Sequence, residues 1–406
     1  MNILIINHYA GSPEMGMEFR PYYLAQEWKK NGHNVIIVGA TYSHLRKKQP
    51  EKSGEQAIDG IDYLWVKTPV YKGNGIKRFI SMLVFTIKLW IKAKRIAKTF
   101  CPDVVIASST YPLDNYSVNR IAKFSNSKHI YEIHDIWPLS PMELGGMSKF
   151  HPFIVLMQMA ENYAYKHSDA VVSILPAAKE HCVEHGLPES KFFHVPNGIV
   201  EADWQVAQHI PETHSKLISH LKSNNSFLVG FTGAHGVANA LQSVIKAVAM
   251  LKDKNISLIL VGSGQEKENL MNYVKKNEIG NVYFLPPVSK YAIPDLLGKM
   301  DVLYIGLQKQ SLFRFGISPN KIFDYMMAGK PVVQAIEAGN DIVSEAHCGF
   351  SVEPENEKEI SYAIEKLSVM SDSERVQLGQ NGREYVLENH TYSIIAKKFF
   401  NILNSL

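Results

Sequence analysis

Residues 315–333 gather a loop, a helix start, a lysine, a carboxylate and a strand start into one short segment. Ser318 is a good N-cap and Pro319 suits the first helical position. A helix is therefore predicted from Pro319 to Met327, closed by Gly329 before Lys330-Pro331 turns into a strand at Val332-Val333. Unpaired backbone N–H groups at such a start attract anions, Gly316 permits close approach and Lys321 adds a positive charge one turn in. Asp324 lies at most two turns further on, where a carboxylate can accept hydrogen bonds from vicinal hydroxyls while phosphates occupy the helix end. Phosphates plus a ribose suggest a nucleotide. An ordinary capped helix with a solvated Asp and Lys fits the local pattern equally well.

A second candidate is His134-Asp135, directly after the apolar run Ile130 to Ile133. The carboxyl ends of strands are where open α/β sheets bind ligands. A lone histidine is usually structural or on the surface, and the adjacent carboxylate is what raises this one. Glycine turns follow several other apolar runs: Gly11 and Gly16 in the loop His8 to Phe19, Gly233-Ala-His-Gly236, and Gly262-Ser-Gly264. None spells Gly-x-Gly-x-x-Gly, and each alone is equally consistent with a plain turn. Glu161 reads as a polar helix residue, the alternative being that it faces the cleft.

The elements that must carry these residues alternate along the chain. Ile3 to Ile6, Val35 to Val38, Val104 to Ser108, Ile130 to Ile133, Val171 to Ile174 and Phe192 to Val195 are short buried strands separated by helical stretches, which predicts a parallel sheet. Pro196-Asn197-Gly198 ends this half, and the polar segment Glu201 to Asn225 reads as a linker with a short helix. The alternation restarts at Phe227 to Thr232 and continues through Leu258 to Val261, Val282 to Leu285, Val302 to Gly306 and Val332 to Ala335. Residues 357–367, 371–389 and 391–406 are helical. With 406 residues, two domains are expected. A net charge of +4 is too small to imply nucleic acid. Cys101, Cys182 and Cys348 are isolated, so neither a zinc site nor a disulfide framework is suggested and a reducing cytoplasm is the simplest compartment. The start Met-Asn-Ile-Leu-Ile-Ile runs straight into a strand and is not read as a signal peptide.

Asp-Tyr-Met-Met-Ala-Gly-Lys-Pro-Val, from Asp324 to Val332, resembles the Glu-Ala-Met-Ala-x-Gly-x-Pro-Val signature of retaining glycosyltransferases of family 4. The longer Ser-Pro-Asn-Lys-Ile-Phe-Asp-Tyr-Met is similar to a branch that builds bacterial O-antigen and capsule sugars, including N-acetylfucosaminyl transferases. The resemblance covers almost the whole chain. It implies the α/β GT-B fold, with two Rossmann-like domains facing a central cleft and a last helix crossing back to the first. The domains would be an acceptor-binding 1–198, a nucleotide-sugar-binding 199–389 and a returning helix 390–406. It further implies that Asp324 holds the ribose, that Gly16, Gly233, Gly262 and Gly264 approach the nucleotide, that Pro287 and Val288 flank the base, and that His134, with Asp135 beside it, serves the transferred sugar.

The chain departs from the family where charge is needed. The acid usually found eight residues before Asp324 is Gly316, and the Arg and Lys that commonly follow the first strand of the second domain are matched by Ala234 and about Asn239. Charge for the phosphates is then expected from the helix start at Ile317 to Asn320, from Lys321, and from Arg314 or Arg20. The expected activity is metal-independent transfer, with retention, of an N-acetylated sugar from a UDP-sugar to a lipid-linked saccharide in bacterial surface polysaccharide synthesis. No Asp-x-Asp is present to suggest a metal, and no cofactor beyond the donor is expected. A nucleotide-sugar 2-epimerase of the same fold, or a non-catalytic nucleotide-sugar-binding subunit, are the alternatives.

One stretch points outside the site. From Gly75 to Phe100 the run Phe79 to Ile87 is apolar around the whole helix, flanked or followed by Lys77, Arg78, Lys88, Lys92, Lys94, Arg95 and Lys98. It is too short to span a bilayer, which needs about 20 residues. It suits either a helix lying on an anionic membrane surface or a core helix with a solvated basic end. The first predicts a protein peripheral to the inner face of the cytoplasmic membrane.

Overall fold

The computed structural model describes residues 1–206 and 208–406. The chain divides into two compact units, one comprising Met1–Asn197, Phe315–Ile317 and Tyr392–Leu406, the other Gly198–Arg314 and Ser318–Thr391.

The first unit is built on β1 (Asn2–Ile6), β2 (Asn34–Ala40), β3 (Gly54–Ile58), β4 (Ile61–Val66), β5 (Val104–Ala107), β6 (Lys128–Ile133), β7 (Ala170–Ser173) and β8 (Phe192–His194), in the order β3-β4-β2-β1-β5-β6-β7-β8. All neighbours run parallel except β3, which pairs antiparallel with β4 at the edge. The central strands are apolar on both faces: Ile3 to Ile6 and Val104 to Ala107 are all buried, as a sheet covered by helices on two sides requires. The chain winds outward from β1 to β2 and β4, then returns to lay β5 against β1. The reversal between β1 and β5 opens a crevice beyond their carboxyl ends, the usual ligand position in such sheets.

The second unit repeats the plan. β9 (Phe227–Thr232), β10 (Ile256–Val261), β11 (Val282–Leu285), β12 (Val302–Gly306), β13 (Val332–Ala335) and β14 (Gly349–Val352) form an all-parallel sheet ordered β11-β10-β9-β12-β13-β14. Here the reversal falls between β9 and β12. A continuous core of Val229, Phe231, Leu258, Leu260, Val302 and Val333 packs against helices that include Leu241–Ala249 and Glu357–Val369.

The last helix, Tyr392–Asn404, belongs to the first unit. Its Ile395, Ala396 and Phe399 are buried against the helix Arg20–Lys30, where the Trp28 indole N–H donates to the Ala396 carbonyl at 2.9 Å and packs edge-on to Phe399. The segment expected to be a linker with one short helix contains two, Glu201–Gln205 and Glu212–Ser223. The second is anchored by His214, whose Nε2 bonds the Pro286 carbonyl at 2.9 Å.

The helix Ile76–Phe100 answers both readings of its sequence. One side, with Met82, Phe85, Leu89 and Ala93, is buried in the first unit. The opposite stripe, Ile76, Ile80, Ile87 and Ile91, is 44–74% exposed. Among the described residues no helix is long and apolar enough to cross a membrane.

Candidate active site

In the second unit the helix Asn320–Met327 is fixed to the end of β9 by one side chain. The Tyr325 hydroxyl accepts from the Thr232 backbone N–H at 2.8 Å and donates to the Thr232 carbonyl at 3.2 Å. The helix starts one residue later than predicted: Pro319, in extended conformation, takes the cap position instead of Ser318, and no side chain caps the helix. Gly329, at φ 65°, closes the helix as expected, its N–H returning to the Met326 carbonyl.

This anchoring lays Lys321 over the turn that follows β9. Its ammonium donates to the Asn239 Oδ1 at 2.7 Å and stands 4.5 Å from the centre of the Phe231 ring. Gly233 leaves room for it: a Cβ there would come within 3.3 Å of the Lys321 Nζ. Gly262 is required more strictly, because its Cβ would lie 1.9 Å from the Gly233 carbonyl oxygen. Gly264 similarly packs on the backbone of His235. Gly233, Gly262, Pro287 and Val288 line one cavity of about 260 Å³ beyond the ends of β9, β10 and β11, with Thr232 and Ile293 completing the wall. The structure thus brings together the second-unit glycines, Pro287, Val288 and Lys321, which sequence reasoning had nominated separately.

Burial lowers the Lys321 pKa to about 8. Asp324 lies one turn further along; its backbone carbonyl accepts from the Ala328 N–H, but its carboxyl has no hydrogen-bond partner among the described residues. Its carboxyl is pushed up to about 7 by burial, with Lys290 pulling it down and Asp203 pushing it up. A partly exposed acid that protein atoms surround yet leave unbonded is ready to accept from a ligand hydroxyl. Arg314 is exposed and donates to the Ser311 carbonyl at 2.7 Å. Gly316 and Ile317 fall in the first unit, where the neighbouring Phe315 carbonyl accepts from Ala177 N–H at 3.0 Å. His235, which sequence reasoning passed over, is fully buried and neither ring nitrogen has a partner. Burial, then Lys267 and Lys321, lower its pKa to about 4.

In the first unit His134 stands at the end of β6 inside a polar network. Its Nε2 lies 3.0 Å from the Ser108 hydroxyl and 3.2 Å from Glu132, and its Nδ1 3.6 Å from Glu18. Burial alone would lower its pKa, but the hydrogen bond and charge of Glu132, aided by Glu18, raise it above the ordinary value. Glu132 is opposed by burial, yet Arg20 and His134 hold it down at about 2. Asp135 does not join this network. Its carboxylate accepts from the Ile136 N–H, the Trp137 indole and the Ser140 hydroxyl, and so shapes the turn after β6. Gly16, at φ 102°, packs against the backbone of residues 45–47.

Arg20 needs correcting as a phosphate ligand. Its guanidinium is 3% exposed, pairs with Glu132 at 2.8 Å and spends its other donors on the Val195 and Pro196 carbonyls and Asn197. The signal for this was present in β6, where Glu132 is a carboxylate within the run Ile130 to Ile133 and so needs a buried partner. Glu161 is also buried, held by His181 at 2.9 Å, Tyr165 and Gln158. With His185 it forms a group whose atoms could hold a metal, though this carboxylate already has three partners.

Residues 15–202 match the family model described as Glycosyltransferase Family 4, and residues 226–369 the model described as Glycosyl transferases group 1. The chain is built as a GT-B glycosyltransferase. It is 23% identical over 394 residues to the putative colanic acid biosynthesis glycosyl transferase WcaI of Escherichia coli K12, covering 94% of this chain and 89% of that protein. Among solved structures it is similar to HepE of Anabaena in complex with UDP and glucose, at TM-score 0.68, 17% identity and full coverage of both chains. WaaG, a glycosyltransferase involved in lipopolysaccharide biosynthesis, gives TM-score 0.65 at 15% identity, covering 98% of this chain and 99% of that one. These structural likenesses carry the fold.

Proposed function

We propose that this GT-B glycosyltransferase moves a sugar, N-acetylated in the reading favoured here, from a UDP-sugar to a lipid-linked saccharide in bacterial surface polysaccharide synthesis, with retention at the anomeric carbon. The observation that carries the donor assignment is the Lys321 ammonium held by Asn239 over the Gly233 turn. A cation is thereby supplied at the position of Asn239, where the family's own cation is missing. The adjoining cavity beside Pro287 and Val288 is suited to the base, and Asp324 to the ribose hydroxyls. HepE, whose structure holds UDP and glucose, supports a uridine nucleotide by analogy, and WcaI and WaaG support a role in polysaccharide assembly.

In this reading N–H groups at the start of the helix Asn320–Met327 and Lys321 stabilise the charge that develops on the departing diphosphate. A donor phosphate oxygen takes the proton of the acceptor hydroxyl, so no protein base is needed. His134, whose pKa Glu132 and Glu18 raise, hydrogen-bonds the transferred sugar. The exposed isoleucine stripe of Ile76–Phe100, with its basic flank, supports a peripheral site of action on an anionic membrane where a lipid-linked acceptor resides.

A thermal-shift panel of nucleotide sugars tests the donor. A ligand at a hundredfold its dissociation constant stabilises by about 2.7 kcal/mol, so the cognate UDP-sugar raises Tm while GDP- and ADP-sugars do not. Stabilisation by a purine nucleotide sugar alone overturns the UDP assignment. Proton NMR of the product of transfer then reads the anomeric configuration: inversion contradicts the retaining mechanism, and 2-epimerised free UDP-sugar identifies an epimerase.

A further inference from the structure

We propose that a groove at the edge of the first sheet binds the phosphate headgroup of an anionic phospholipid. The groove lies between β4 and the helix Ile76–Phe100 and encloses about 480 Å³. Lys67, Lys88, Lys92 and Arg95 line it against a single carboxylate, Glu55. Among the described residues none of the four cations has an ion-pair partner; Lys88 instead donates to the Lys67 carbonyl at 2.7 Å, which holds the two basic elements together. Four uncompensated cations around one concave site form an anion receptor, because like charges gathered without counter-charge repel until an anion arrives.

The walls specify what carries the anion. Leu64, Trp65, Ile96 and Phe100 line the groove beside the cations, so the guest has an apolar part next to its charge. Lys88, Lys92 and Arg95 follow at helical spacing one step round from the exposed Ile80, Ile87 and Ile91. The apolar stripe and the cationic groove are thus adjacent faces of one helix. A stripe lying among acyl chains brings the groove to headgroup depth, where a phosphodiester is the anion present. A lipid headgroup therefore fits better than a free phosphate. The inference rests on the membrane reading given above and adds to it a defined recognition site.

Vesicle co-sedimentation at low salt tests this with four proteins and two surfaces, phosphatidylcholine alone and phosphatidylcholine with phosphatidylglycerol. Wild type is expected to bind the anionic vesicles, and Lys67→Gln/Lys92→Gln to lose about tenfold or more in affinity. Lys94→Gln/Lys98→Gln removes the same amount of charge, from the helix that carries Lys92 but outside the groove, and is expected to lose much less. The stripe variant Ile80→Ser/Ile87→Ser/Ile91→Ser reports on the membrane reading separately. Equal losses in the two lysine pairs mean diffuse attraction and overturn the groove while leaving membrane binding intact. Wild type that stays in the supernatant with anionic vesicles overturns both. Saturable binding of glycerol phosphate in solution, with vesicle binding unchanged in Lys67→Gln/Lys92→Gln, assigns the groove to a free phosphate and overturns the lipid source.

Discussion

Lys321 and Asp324 are three residues apart on one helix, and burial shifts their pKa values towards each other, to about 8 and about 7. Donor binding in the proposed mode needs the lysine charged and the aspartate ionised. Affinity for a UDP-sugar, whose diphosphate charge is constant over this range, should therefore peak between pH 7 and 8, falling below 7 as Asp324 protonates and above 8 as Lys321 loses its proton. Isothermal titration across pH checks this, and a flat profile would separate both residues from the donor. Asp324→Ala should weaken UDP by about 1.5 to 3 kcal/mol, the worth of charge-assisted hydrogen bonds, without lowering Tm. Lys321→Ala should weaken UDP far more than uridine, since only UDP carries the diphosphate. Equal losses for the two ligands would indicate damage to the helix.

At the scale of elements, β6 and the helix Arg20–Lys30 are joined by the buried pair Arg20–Glu132, to which His134 is attached. Breaking such a pair costs about 3 to 5 kcal/mol because a charge is left buried and alone. Arg20→Ala is thus expected to lower Tm strongly, and a variant as stable as wild type would refute the structural role. The pH window follows from the shifts. Glu132, depressed to about 2, contributes stability that is present above its unfolded value of 4.5 and is lost as pH falls towards 2. His134, raised, contributes stability that is complete below 6.5 and lost as pH rises through its folded value. The network therefore stabilises most between about pH 4.5 and 6.5, a maximum that should vanish from the denaturation profile of Arg20→Ala/Glu132→Gln/His134→Ala. The central strands were legible in the sequence because burial on both faces leaves unbroken apolar runs. β3, β4 and β14 were not: Gly54–Ile58 and Gly349–Val352 lie at sheet edges, half-exposed, with little apolar contrast, and Ile61–Val66 carries the exposed Asp62 and the half-exposed Leu64 among its buried residues, which breaks the apolar run. Arg20 was misread for a related reason: sequence spacing exposes a charge but not the partner more than a hundred residues away that neutralises it.

Across the whole molecule, both halves place their ligand-facing turns beyond a reversal in strand order, and the site residues visible in the sequence are those that such turns require: Gly233, Gly262 and the helix start at Asn320. What the sequence left hidden are contacts made by side chains from distant segments, such as Tyr325 to Thr232 and Lys321 to Asn239. In the proposed reaction the bound donor is cleaved between its anomeric carbon and the phosphate oxygen, and UDP release from UDP-sugars without acceptor reads that step alone. Slow UDP release is expected from the UDP-sugar that raises Tm, lost in Asp324→Ala through weaker binding and in His134→Ala through turnover at nearly unchanged affinity. No UDP release from a donor that binds, or release unchanged in both folded variants, would contradict it.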